Sequence, residues 1–257
     1  MSETTPETDQ PELVHLDVEH GVATITLDSP PNRNALSRRL VADLLAHLDS
    51  TATDDDVRVV VIAATGKVFC SGADLSEAST TGMEQGARTI VDIQRRIIAH
   101  SKPVVARVQG PVRAGGIGIV AAADIAVCAE SATFALTEVK LGLAPLAISL
   151  SVLPRMTSRA AAWACLSGES FDSAQAAAWG LVTRALPDDD LDAAVRETCA
   201  ALATGSLQGL RETKRLLARD LLDRIDARGD ELAALSAELF GSEEAKEAMT
   251  AFLNRRR

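Results

Sequence analysis

Two runs of β-branched and small apolar residues, 57–63 and 103–108, each open directly into a glycine-rich loop. A continuous apolar run, without alternation, marks a strand buried on both faces. Two such strands separated by a helical pattern imply a parallel sheet with crossover helices. The loops read Gly66-Lys67-Val68-Phe69-Cys70-Ser71-Gly72-Ala73-Asp74-Leu75 and Gly110-Pro111-Val112-Arg113-Ala114-Gly115-Gly116-Ile117-Gly118. Glycines at strand ends let a ligand approach the backbone. The first turn of a helix presents unpaired N–H groups at the positive end of its dipole. One N–H from each loop can therefore converge on a single oxygen, as in an oxyanion hole.

The rest of the chain fits that frame. Residues 1–12 read as a disordered arm rich in Thr, Pro and Glu. Residues 13–18 and 22–27 read as a hairpin around His20-Gly21. A helix is expected over 37–51, with Leu40, Leu44, Leu45 and Leu48 on one face. A second helix is expected over 83–99 and a small-residue buried helix over 115–123. Strands are expected at 125–128 and 133–136. Beyond Pro145 the pattern turns helical, over 147–153, 159–166, 173–179, 191–203, 207–222 and 231–240. The expected organisation is an N-terminal arm (1–12), an α/β core (13–190) and a helical C-terminal oligomerisation region (191–257).

Composition removes several function classes. A net charge of -10 leaves no basic stripe for nucleic acid; the Arg255-Arg256-Arg257 tail reads as a solvated terminus. Cys70, Cys128, Cys165 and Cys199 are widely spaced, and no Cys-x-x-Cys pair suggests a zinc or dithiol site. Free thiols suit a reducing cytosol. The acidic N-terminus is unlike a targeting peptide, and no apolar run reaches the roughly 18 residues of a membrane span. A cytoplasmic protein without membrane or nucleic-acid partners is expected. Neither a Gly-x-Ser-x-Gly elbow nor a Walker lysine occurs, and the four histidines form no metal-ligand pair. Cys70 reads as a small core thiol.

The two glycine loops, in order and about 40 residues apart, resemble those of the crotonase (enoyl-CoA hydratase/isomerase) superfamily. The resemblance runs from the hairpin to the C-terminal helices. It includes Pro31-Asn32-Arg33-Asn34-Ala35-Leu36, Lys102-Pro103-Val104, Ala123-Asp124-Ile125-Ala126, Leu141-Gly142-Leu143 and Trp179-Gly180-Leu181-Val182. It implies a crotonase-like (ClpP/crotonase) α/β fold of repeated ββα units with a helical C-terminal region, assembled as a homotrimer or homohexamer. It also implies an acyl-CoA thioester ligand, with Ala73 and Gly115 as the oxyanion donors. Arg33, Ala35, Leu36, Ser71, Gly72, Asp74 and Leu75 would line the CoA path, and Gly118 the acyl side. Arg33 and Lys67 are the candidates for the phosphates. Asp74 would also anchor its own loop. No cofactor is implied, because the CoA is part of the substrate.

The resemblance further implies two glutamates. One position is occupied by Glu138, the candidate acid/base; the other is Gly118, which carries no acid. Three functions remain open on this reading. The first is an enoyl-CoA hydratase of unusual design, in fatty-acid or branched-chain acyl-CoA metabolism. The second is an enoyl-CoA isomerase using Glu138 alone. The third is an acyl-CoA binding protein without turnover. Hydratase-type chemistry is the preferred expectation. Glu77 or Glu84 is a candidate replacement acid. Arg88, Arg95 or Arg96 could favour an acidic acyl group. Ala147-Ile148-Ser149-Leu150 stands where the family commonly has a glycine-rich turn.

Overall fold

The computed structural model describes residues 11–74, 77 and 83–254. The N-terminal hairpin pairs β1 (Val14–Glu19) with β2 (Val22–Leu27) in antiparallel register through the left-handed His20 and Gly21. Helix α1 (Arg38–Thr53) follows, its first turn capped by Ser37 Oγ, which accepts from Leu40 N–H at 3.3 Å. Strand β3 (Val59–Ala64) is buried along its whole length, as a strand covered on both faces must be.

Helix α2 (Met83–Ala99) leads to β4 (Val104–Val108), the short β5 (Val112–Arg113) and α3 (Gly115–Ala122). Strands β6 (Ile125–Ala129) and β7 (Thr133–Ala135) come next, then a 3-10 turn over Thr137–Leu141. Helices α4 (Leu146–Arg155) and α5 (Ser158–Ser167) precede β8 (Phe171–Asp172), α6 (Ser173–Ala178) and β9 (Arg184–Leu186). The described chain closes with α7 (Leu191–Ala203), α8 (Leu207–Gly241) and α9 (Glu243–Asn254).

Six strands form one sheet in the order β1-β2-β3-β4-β6-β9, parallel except for the hairpin. A second sheet, β5-β7-β8, stands beside it. Side chains alternate between the faces of the large sheet. Val60, Ile62, Val104 and Ala106 join the main core with α1, α2 and α3. Val59, Val61, Val105 and Val127 pack beneath Leu191, Ala194, Val195 and Cys199 of α7.

The two glycine loops leave β3 and β4, adjacent parallel strands, so both emerge at the same edge of the sheet. That neighbourhood positions the site. The expected strands and the expected helices before residue 207 are present, with their ends shifted by a few residues. The helices expected over 207–222 and 231–240 are instead one 35-residue helix. Gly229 within it does not break the helix. A Cβ there would lie 2.9 Å from Val91 Cγ1, so the glycine lets α8 cross α2 closely. The expected N-terminal arm, apart from residues 11 and 12, and the Arg255-Arg256-Arg257 tail lie outside the described residues.

Candidate active site

The first loop is held from behind by a buried asparagine. Asn34 accepts from Ser29 N–H at 2.7 Å and donates to the carbonyls of Thr65 (3.0 Å) and Val68 (2.8 Å). Both Arg33 and Asn34 adopt left-handed backbone angles, φ 60° and 52°. This turn lays residues 33–36 along the Ser71–Asp74 backbone. Ser71 N–H donates to Arg33 O at 3.1 Å, and Leu36 N–H to Gly72 O at 2.8 Å. Asp74 N–H reaches Leu36 O at 3.5 Å. Leu36 and Ala73 form an isolated parallel bridge, and Ala73 N–H is aimed away from it, bonded to no acceptor among the described residues. In the sequence Asn34 is one residue of a turn, and nothing there signals its buried, threefold bonding.

The second loop brings its donor to the same place. Arg113 N–H donates to Cys70 O at 2.9 Å, which ties β5 to the first loop. Ala114, at φ 45° and ψ −118°, turns the chain abruptly into α3. No side chain caps α3, and Ile117 N–H closes back on Ala114 O at 2.8 Å. Gly115 N–H, in the first helical position, is left without an acceptor among the described residues.

Glycines allow the two loops to meet. Gly72, at φ 90°, has space for no side chain: a Cβ there would lie 3.0 Å from Ala114 Cβ and 3.4 Å from Gly115 N. A Cβ on Gly115 would lie 3.7 Å from Ala73 N, so the two unpaired donors flank one gap. Ala73 is exposed and Gly115 half-buried, so the gap is open to a ligand oxygen. Beneath it, Cys70 fits under Gly116 and burial pushes its thiol up to about 12, which makes it core filling.

Glu138 sits on the adjoining turn. Strand β7 pairs with β5, and Ala114 N–H donates to Ala135 O at 3.2 Å, three residues before Glu138. The turn is closed by left-handed Gly142, and the N–H groups of Gly142 and Leu143 both bond the Glu138 carbonyl. The carboxyl group itself is enclosed. Its Oε2 has no partner among the described residues, and burial pushes its pKa up to about 7. A carboxyl poised near neutrality can both take and return a proton.

Gly118 does not share the open gap. A Cβ there would lie 2.9 Å from Ile148 Cγ2 and 3.4 Å from Gln94 Cδ, so its face is already covered. The candidate replacement acids are engaged elsewhere. Glu77 accepts from Arg38 N–H at 2.9 Å, and Glu84 pairs with Arg88. The arginines of α2 are paired with carboxylates as well. Arg88 also pairs with Asp230, Arg95 with Asp226, and Arg96 with Asp49 and Asp92. Arg33 and Lys67 are exposed and bond no acceptor with their side chains among the described residues. Ala35 is buried, its N–H 3.3 Å from Asn32 Oδ1, while Leu75 lies outside the described residues.

Two open backbone donors and an elevated carboxyl group belong to a recognisable architecture. The model of the enoyl-CoA hydratase/isomerase family matches residues 17–257. The chain belongs to that family. An enoyl-CoA hydratase from Mycobacterium avium, solved by crystallography, is 43% identical with a TM-score of 0.89, covering 96% of this chain and 98% of its own. A mevalonyl-coenzyme A hydratase from Aspergillus fumigatus is 36% identical over 198 residues, 75% of this chain and 73% of the relative. The 2,3-dehydroadipyl-CoA hydratase of Escherichia coli is 31% identical over 240 residues, 91% of this chain and 93% of the relative. The fold is the crotonase fold of these neighbours, and this family member is an acyl-CoA-processing enzyme of hydratase type.

Proposed function

We propose that the enzyme adds water reversibly to a 2-enoyl-CoA, with Ala73 and Gly115 as oxyanion donors and Glu138 as its single acid/base. The Glu138 carboxylate takes a proton from water as the water oxygen bonds to Cβ. The double-bond electrons move onto the thioester oxygen, held between Ala73 N–H and Gly115 N–H. Glu138 then returns the proton to Cα, the carbonyl re-forms, and the net change is one added water. Each oxyanion donor is worth roughly 2.7–4 kcal/mol at the transition state. The observation carrying this reading is the enclosed Glu138 carboxyl, its Oε2 unpartnered among the described residues, on the turn that follows β7 where β7 pairs with the loop leading to Gly115.

The CoA portion is read as lying along Arg33, Ala35, Leu36, Ser71, Gly72 and Asp74, with Arg33 and Lys67 toward the phosphates. No step calls for a separate cofactor. The working form is read as a cytoplasmic homotrimer or homohexamer, and the acyl-CoA as drawn from fatty-acid or branched-chain metabolism.

The filled face of Gly118 favours one second reading. With no acid at position 118, Glu138 can remove a proton from Cα of a 3-enoyl-CoA and return it to Cγ, which moves the double bond without adding water. Mass-resolved turnover of paired 2-enoyl- and 3-enoyl-CoA substrates separates the two. A gain of one water from the 2-enoyl substrate supports hydration. Interconversion without mass change replaces it with isomerisation. Binding of both without reaction would leave a binding protein and end the catalytic reading.

A further inference from the structure

The face of α3 one turn beyond Gly115 is closed by Ile148, with Gln94 beside it. Ile148 is buried, and its Cγ2 occupies the space that any side chain at Gly118 would need. Its position is fixed by a buried polar lock. Ser151 Oγ donates to Gln94 Oε1 at 2.6 Å, and Gln94 Nε2 donates to the carbonyls of Ala147 and Ile90, both at 3.0 Å. Gln94 and Ser151 are both buried, so the lock joins α2 to the start of α4 without facing solvent. These bonds engage both ends of the Gln94 amide.

The neighbouring wall is apolar as well. Ile90 Cδ1 and Leu36 Cδ1 both approach to 3.1 Å of the place where a Cβ on Gly115 would sit. The α2 arginines are turned to carboxylates on α8, α1 and α2 itself. A chain leaving the oxyanion gap along α3 therefore meets Ile90, Leu36 and then Ile148, and the α2 arginines, already paired, offer no free charge to a distal carboxylate.

We propose that Ile148 is the specificity-determining residue of this site, ending the acyl pocket at Gly118 and restricting it to short hydrocarbon acyl groups. The proposal rests on the reading of the Ala73–Gly115 gap as the thioester site. It accounts for the bonded Gln94–Ser151 pair as the device that holds Ile148 in place. A buried carboxylate with no partner would be strongly disfavoured on this wall.

Binding of saturated butyryl-, hexanoyl- and octanoyl-CoA and of glutaryl-CoA, measured by calorimetry, tests this without requiring turnover. Each newly buried methylene is worth about fourfold in affinity. The native enzyme should gain little from butyryl to octanoyl, and Ile148→Ala should bind octanoyl-CoA about tenfold more tightly than the native enzyme does. Ile148→Val, which removes less volume, should shift the same way by a smaller factor and keeps the test open if the alanine variant does not fold. Glutaryl-CoA should bind the native enzyme at least about tenfold more weakly than butyryl-CoA. Parallel chain-length profiles in native and variant proteins would overturn the role of Ile148, and so would native affinity that already climbs to octanoyl-CoA. Glutaryl-CoA bound as tightly as butyryl-CoA would overturn the apolar restriction. Failure of every acyl-CoA to bind would overturn the thioester reading itself, and this proposal with it.

Discussion

Glu138 carries opposite demands in chemistry and stability. Its carboxyl is held at about 7 by burial, above its ordinary value of 4.5. The folded state therefore keeps a proton that the unfolded chain has already released between those values. Folding stability is unaffected below about pH 4.5 and is lost as pH rises through about 7, by about 3 kcal/mol at most. Glu138→Gln removes that cost. It should leave thermal stability unchanged near pH 4.5 and raise it increasingly toward pH 8, read by calorimetric melting across pH. The same variant should retain acyl-CoA affinity and lose turnover by about 10²-fold or more. Unchanged turnover would remove Glu138 from the mechanism. Gly115 tests the donors separately. Its φ is ordinary, and a Cβ there meets the tips of Ile90 and Leu36 at 3.1 Å and stands 3.7 Å from Ala73 N. Gly115→Ala should fold, yet place a methyl between the two donors and lower kcat by about 10²-fold or more. Wild-type kcat in that variant would show that the oxygen binds elsewhere.

At the scale of elements, the long α8 is fastened to the sheet at one buried point. Lys214 Nζ donates to Ile97 O (2.9 Å), Lys102 O (3.0 Å) and Asp124 Oδ2 (2.7 Å), joining the ends of α2, β4 and β6. Asp124 also accepts from Val104 N–H at 2.7 Å. Burial lowers the Lys214 pKa while Asp124 supports its charge. Lys214→Met leaves the Asp124 carboxylate beside a hydrocarbon and should cost about 3–5 kcal/mol in urea unfolding. A loss below about 1 kcal/mol would mean that Asp124 finds another partner or water. His100, on the same junction, accepts or donates at Thr51 Oγ1, Leu48 O and the Lys102 backbone. Burial holds its pKa down to about 4. Because the unfolded histidine protonates first, its stabilising neutral state is lost as pH falls from about 6.5 toward 4. That slope opposes the one from Glu138, so the native protein should show a shallow pH response between about 4.5 and 6.5. Glu138→Gln should steepen the net slope in the direction set by His100.

At the scale of the whole molecule, long apolar strands and glycine loops were legible in the sequence because their signals are local. The strands β5, β8 and β9, of two or three residues, are defined by their pairing partners rather than by any periodicity. The covering of Gly118 by Ile148 joins residues 30 positions apart, and Arg88 and Arg95 of α2 find acids on α8 more than 130 positions away. No pattern along the chain records such meetings. The same holds for what lies beyond one subunit. Leu166, Leu216 and Leu217 remain 71–76% exposed, and Trp163 on α5 is also exposed. Burying large aliphatic side chains is worth roughly 1.5–3 kcal/mol each, so a second copy covering α8 would be stabilised by Leu216 and Leu217. The net charge of -10 opposes close association, which makes it dependent on such apolar contacts and on salt. Light scattering should therefore find a trimer or hexamer of 27.0 kDa subunits, more stable at higher ionic strength. Leu216→Lys combined with Leu217→Lys should reduce the mass while leaving the monomer folded, because neither side chain contributes to the internal core. A native monomer would end the oligomer reading. An unchanged oligomer in the double variant would move the interface away from this face of α8.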